Sequence, residues 1–252
     1  MSGSTQGIGF AIARALLAEG ATVVINGRTA DRVGSAVARL AELVPGADVS
    51  GLAADFEDPK QVQRLLVALG QVDILVNNIG LFELAPFAEL VDDDWERYFQ
   101  VNVMSGVRLS RHVLDGMLAN GWGRIIFIGS ESGANIPADM LHYGVTKAGM
   151  TALANGLSKL TRGTEVTVNT ILGGPTYSDG VARTVEQLAH AQAMGADELK
   201  AAVIAGNRTS LLERFIEPDE IAHLATYLAS PLSSATNGAA VRADGGVLTT
   251  MF

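Results

Sequence analysis

Short apolar runs rich in β-branched residues alternate along this chain with longer stretches whose apolar positions recur every three or four residues. The short runs predict strands over 21–26, 49–53, 72–77, 124–128, 166–171 and 239–242. Several are apolar nearly throughout, as strands covered on both faces are. The longer stretches predict helices over 8–18, 30–43, 59–69, 92–118, 143–160 and 218–229. Asp58 before Pro59 and Glu217 before Pro218 read as helix starts with proline in the first turn. Strands alternating with helices predict an α/β fold, a Rossmann-like doubly wound parallel sheet with helices on both faces, forming one domain over 1–252. The least regular stretch, 173–211, follows a strand end, where long excursions usually serve function, and a substrate lid is expected over about 174–211.

One element is missing from this pattern. A glycine-rich turn begins at Gly3, yet only Met1 and Ser2 precede it, where a doubly wound sheet needs a central N-terminal strand. The expectation is a truncated chain or a misassigned start, with unpaired backbone groups and a cavity in the middle of the sheet.

Composition narrows the function classes. Hydrophobic residues make up 48% of the 252, enough for a large core. No apolar run approaches a membrane span, and the N-terminus lacks the basic start and apolar stretch of a signal peptide. The absence of cysteine removes disulfides, thiolate catalysis and cysteine-bound zinc, and fits a cytoplasmic protein. His112, His142, His190 and His223 stand far apart, so no metal site is expected. A formal charge of −9 argues against nucleic acid as a partner.

The motifs carry the chemistry. Gly3-Ser4-Thr5-Gln6-Gly7-Ile8-Gly9 opens a helix, and such a turn brings backbone N–H groups to a pyrophosphate at a helix N-terminus. The spacing is not the commoner Gly-x-Gly-x-x-Gly, and alone it also fits a structural turn. At the end of the next strand Gly27 offers no carboxylate for ribose hydroxyls. Arg28 offers a charge-assisted fork to a 2′-phosphate, with Thr29 as a further donor, so NADP(H) is expected over NAD(H). A solvated arginine in a turn is the bland alternative. Asp55, beside Phe56 after the third run, suits an adenine amino group or a loop cap. Asn77-Asn78-Ile79-Gly80 ends a further strand, with Gly80 leaving room for a ribose and Asn77 supporting from beneath.

The chemical centre is expected at Ser130, Tyr143 and Lys147. Tyr143 and Lys147 are four apart and share a helix face. A phenol is too weak an acid to serve as a base at neutral pH unless a nearby ammonium and an oxidised nicotinamide lower its pKa. Tyr143 would then exchange a proton with an alcohol or carbonyl oxygen that Ser130 also holds. Ser132 is the competing serine.

In this order, the motifs resemble those of the short-chain dehydrogenase/reductases, including members that reduce 3-oxoacyl thioesters on acyl carrier protein, and the likeness spans nearly the whole chain. It implies NADP(H), a small carbonyl or alcohol substrate such as a medium-sized ketone or 3-oxoacyl compound, and a homotetramer or homodimer. It also implies that Asn102 distorts its helix and holds a water relaying protons from the lysine. It places Gly174 and Thr176, or Ser178, beside the nicotinamide, although Gly173-Gly174 stands where the family usually has Pro-Gly. Arg162, Arg183, Arg208 and Arg214 are the candidates for a basic patch that would attract an acidic carrier. The rival reading is a truncated or non-catalytic dinucleotide-binding or assembly protein of the same fold.

Overall fold

In the computed structural model, which describes residues 1–192 and 194–251, each predicted strand is present. Ala193, inside the expected lid, and Phe252 lie outside the described residues. The strands are β1 (Val23–Gly27), β2 (Val49–Ala53), β3 (Ile74–Asn77), β4 (Trp122–Ile128), β5 (Glu165–Gly173) and β6 (Ala240–Ala243). All pair in parallel, β1 with β2, and β3 to β6 in sequence order. Alternate residues of β4 serve opposite faces. Ile126 and Ile128 pack with Ile12, Leu16 and Ile221, while Ile125 and Phe127 pack with Val113, Met117 and Met150. That period of two, with both faces covered, is why the strand is apolar throughout.

The helices that matter for the site are α1 (Gly7–Ala18), α2 (Ala30–Leu43), α3 (Pro59–Leu69), α4 (Asp92–Tyr98), α5 (Met104–Asn120), α6 (Leu141–Ser158), α7 (Asp179–Ala191), α8 (Ala196–Gly206) and α9 (Pro218–Ala229). The proline starts are realised. The Asp58 carboxylate accepts from the Lys60 N–H at 2.8 Å, and the Glu220 carboxylate accepts from the Glu217 N–H at 2.9 Å.

Three expectations change. The helix predicted over 92–118 is broken by a π-turn at Phe99–Val103 between α4 and α5. The stretch read as the least regular is mostly helical, as its alanine-rich, helix-forming composition implies, and forms α7 and α8. The gap in the sheet is narrower than the sequence suggests. Residues 1–4 lie between β1 and β3. The Ser2 N–H donates to the Val76 carbonyl at 3.0 Å and the Ser4 N–H to the Asn26 carbonyl at 2.8 Å, while the terminal ammonium donates to the Val24 carbonyl at 2.7 Å. Below them a cavity of about 20 Å³ remains among Val24, Ile25, Leu52, Leu65 and Leu75.

Candidate active site

The carboxyl ends of β1, β3 and β4 open on one cleft of about 300 Å³. It is lined by Gly3, Thr5, Gln6, Gly7, Ile8 and Gly9 from the turn, by Arg28, Asp55 and Phe56, by Asn78 and Gly80, and by Tyr143 and Lys147. The distant motifs of the sequence therefore meet in a single trough at the switch point of the sheet.

The turn is fixed from beneath. The Asn78 side chain donates to the Gly3 carbonyl at 2.7 Å, and the side-chain amide oxygen of Asn26 accepts from the Gly3 N–H at 3.2 Å. A Cβ on Gly9 would lie 2.4 Å from the Gly3 carbonyl oxygen, so only glycine lets α1 start this close to the turn. Asn26 was not singled out in the sequence. Its signal was a polar residue ending an otherwise apolar strand.

Several expected cofactor residues do something else. Ser4 is buried, donating to the Met1 carbonyl and accepting from the Asn26 N–H. Thr29 caps α2, accepting from the Arg32 N–H at 3.4 Å. Gly174 is packed against the Asp244 backbone, and the Thr176 hydroxyl donates back to the Gly174 carbonyl at 2.9 Å. It is Ser178, not Gly174 or Thr176, that lines the cleft. Asn77 reaches the Ser110 hydroxyl of α5 at 3.2 Å. The four arginines divide, because Arg208 and Arg214 share a concavity with Lys200, Arg183 lies at the glycine turn, 3.2 Å from Gln6 Oε1, and Arg162 follows the turn at Lys159–Thr161 beyond α6.

At the other end of the cleft, Lys147 is buried and donates to the Ile128 carbonyl at 2.8 Å. Its Nζ lies 5.6 Å from the centre of the Tyr143 ring. A Cβ on Gly80 would come within 3.2 Å of that Nζ, so Gly80 leaves space above the lysine. Burial pushes the Lys147 ammonium down to about 8, while the Glu131 carboxylate opposes the shift. Tyr143 keeps part of its ring open to the cleft. Dense packing leaves its anion poorly solvated and pushes the phenol up to about 12, against the opposing Ser130 hydrogen bond and with the Glu131 charge adding to it. The expected lowering of Tyr143 is thus not met in the chain by itself, because desolvation outweighs the Ser130 hydrogen bond.

Asn102 sits in the π-turn. Its amide oxygen accepts from the Leu81 N–H at 2.7 Å, and its nitrogen donates to the Leu81 carbonyl at 3.1 Å and the Thr146 hydroxyl at 2.9 Å. The wide turn aims this side chain across to α6, one residue before Lys147. Ser130, buried at the end of β4, donates to Glu131 Oε2 at 2.6 Å and accepts from the Ser132 N–H at 3.1 Å. Glu131 was not anticipated from the sequence.

Residues 1–189 match the family model described as short chain dehydrogenase. The chain belongs to the short-chain dehydrogenase/reductase family. This enzyme is 43% identical to the oxidoreductase YvaG of Bacillus subtilis (strain 168), over 100% of the chain and 96% of that protein. It is 32% identical to the D-beta-hydroxybutyrate dehydrogenase of Cupriavidus necator, over 98% of the chain and 95% of that protein. Among solved structures, L-sorbose reductase from Gluconobacter frateurii, complexed with NADPH and L-sorbose, superposes with a TM-score of 0.93 at 30% identity. That match covers 100% of this chain and 96% of the other.

Proposed function

We propose that the enzyme interconverts a ketone and a secondary alcohol using NADP(H), with Tyr143 as the acid and base. The observation that carries this reading is the single cleft joining the glycine turn to Tyr143 and Lys147. Its residues fit the cofactor. A Cβ on Gly27 would lie 2.5 Å from Thr5 Cγ2, so this strand end has no room for a side chain that would repel a 2′-phosphate. Arg28 and Arg32 line the cleft there, and Arg32, Arg39 and Arg183 line an adjoining hollow beside Thr5 and Gln6. In a chain of formal charge −9 this is a local cationic surface suited to a phosphate monoester. The solved L-sorbose reductase and an actinorhodin polyketide ketoreductase, each complexed with NADPH, support the same choice.

Bound there, the nicotinamide supplies or accepts the hydride. The protein handles the proton. A phenol held protonated at neutral pH donates to a ketone oxygen as negative charge develops on it. Lys147 keeps a positive charge beneath the ring, and Asn102 ties α6 to the π-turn so that both side chains face the cleft. Ser130 supplies a second hydrogen bond to the same oxygen. Phe82, edge-on to Tyr143 with ring centres 6.4 Å apart, gives the substrate side an apolar wall suited to a medium-sized or 3-oxoacyl ketone. Exposed Phe99, beside α5, and Val145, on α6, are consistent with a homotetramer or homodimer formed through these helices.

The reading is tested by titrating NADPH and NADH separately and following NADPH oxidation with ethyl acetoacetate and L-sorbose. NADPH should bind more tightly than NADH, and Tyr143→Phe should bind NADPH but leave the ketones unreduced. Equal turnover by Tyr143→Phe would overturn the assignment.

A further inference from the structure

The residue that follows the serine is a carboxylic acid that the mechanism above does not use. Glu131 Oε2 is 2.6 Å from the Ser130 hydroxyl, and Oε1 is 3.2 Å from the Ser132 hydroxyl. The Ser132 N–H also donates to Ser130 Oγ, at 3.1 Å. Among the described residues no lysine or arginine lies within ion-pair range of Glu131. The charged and titratable groups that face it come from α6, where Lys147 is tied instead to the Ile128 carbonyl and Tyr143 stands beside Ser130.

Hydrogen counting makes this arrangement consequential. A serine hydroxyl has one hydrogen to give. While Glu131 is ionised, it takes that hydrogen through a short, charge-assisted bond. Ser130 then has only a lone pair to offer, and a ketone oxygen, or the alkoxide-like oxygen of the transition state, needs a donor. When Glu131 carries a proton, the carboxyl donates to Ser130 Oγ, and the serine hydrogen is freed for the side on which Tyr143 stands, where the substrate oxygen would be held.

We propose that Glu131 is a positioning residue whose bound proton turns the Ser130 hydrogen towards the substrate oxygen. This rests on the role given to Ser130 above. The exchange balances, since one proton taken from solvent by Glu131 replaces one serine hydrogen in the bond between them, and nothing is oxidised or reduced. By microscopic reversibility the same protonated form serves ketone reduction and alcohol oxidation. Burial, which pushes the Glu131 carboxyl up against the opposing serine hydrogen bonds, brings its titration closer to neutral pH.

Two measurements on the full chain test this. The first is the pH profile of kcat/KM for NADPH-dependent reduction of ethyl acetoacetate and L-sorbose, for the wild type and Glu131→Gln. A glutamine amide can donate to Ser130 permanently and has no proton to lose. The wild type should lose about ten-fold or more as pH rises from about 4.5 to about 7, a window that stops short of the Lys147 ammonium at about 8, and Glu131→Gln should lose less than about two-fold over the same window. The second needs no substrate: the side-chain carboxyl resonances of 13C-labelled glutamate are titrated, with Glu131 assigned by its absence in Glu131→Gln. Its midpoint should lie above the ordinary carboxyl range, coincide with the activity limb, and rise further in Ser130→Ala, where a hydrogen bond to the ionised form is lost.

A Glu131→Gln profile that keeps the wild-type limb overturns the proposal. So does a carboxyl midpoint at the ordinary glutamate value, or one that Ser130→Ala leaves unmoved. If neither probe ketone is reduced although NADPH binds, the substrate class proposed above fails, and the carboxyl titration alone decides the role of Glu131.

Discussion

The main-chain N–H of Gly7 donates to the Asp179 carboxylate across 2.5 Å, joining the glycine turn at the start of α1 to the first turn of α7. A helix N-terminus carries partial positive charge and attracts anions. In this structure the anion held there is a side chain of α7, at the place where the proposed cofactor's pyrophosphate would sit. Cofactor binding must displace this carboxylate or accept its repulsion.

Asp179→Asn should therefore bind NADPH more tightly, by about three- to ten-fold, the range that removing one charge at a helix terminus allows. Nicotinamide fluorescence on titration measures this directly. Weaker binding by the variant would mean that Asp179 helps to seat the cofactor instead of competing with it.

Arg28 stands at the end of β1 beside a position, Gly27, that cannot carry a side chain unless Thr5 moves. Arg28→Ala should weaken NADPH binding by about ten- to hundred-fold, the worth of a charge-assisted hydrogen bond, and leave NADH binding nearly unchanged. Equal losses for both dinucleotides would show that Arg28 does not read the 2′-phosphate.

With its phenol pushed up to about 12 by burial, Tyr143 remains a proton donor through the neutral and mildly alkaline range. Loss of reduction below about pH 9 must then come from another group. Tyr143→Phe should lower kcat by about a hundred-fold or more while its NADPH affinity stays within about two-fold of the wild type. A variant that loses cofactor binding in proportion to activity would assign Tyr143 to binding instead of proton transfer.

Much of this site was legible because its parts are tied to regular elements. The glycine turn must open a helix, Tyr143 and Lys147 must share a helix face, and Ser130 must end a buried strand. What failed to show was local chemistry in which two uses compete for one group. Thr29 has a hydroxyl suited to a phosphate, yet it ends a loop before α2, where capping an orphan N–H claims it. Thr176 spends its hydroxyl on the Gly174 carbonyl two residues back. Asn102 lies in a stretch whose periodicity reads as unbroken helix. The resemblance flagged the distortion, and the hydrogen bonds to Leu81 and Thr146 show how the π-turn is used. Glu131 was not singled out, because nothing in the linear order reveals that both neighbouring serine hydroxyls turn towards it. The short run ahead of Gly3 led to the expectation of a gap, and the backbone bonds of residues 1–4 to β1 and β3 narrow it.

Glu131 also makes a prediction about stability that does not depend on turnover. Burial raises its folded-state pKa above the ordinary value of 4.5. A carboxyl of this kind binds its proton more tightly in the native state than in the unfolded chain. Its contribution is therefore full below the ordinary value and is lost as pH rises through the folded value. Glu131→Gln has no such loss, and its amide can still reach both serines. Relative to the wild type, the variant should melt at a higher temperature at about pH 8, and the difference should vanish as pH falls to about 4. Thermal melts of both proteins across that range decide the matter. A difference that stays constant with pH would show that the substitution acts through packing, and that Glu131 ionises as readily in the fold as in the unfolded chain.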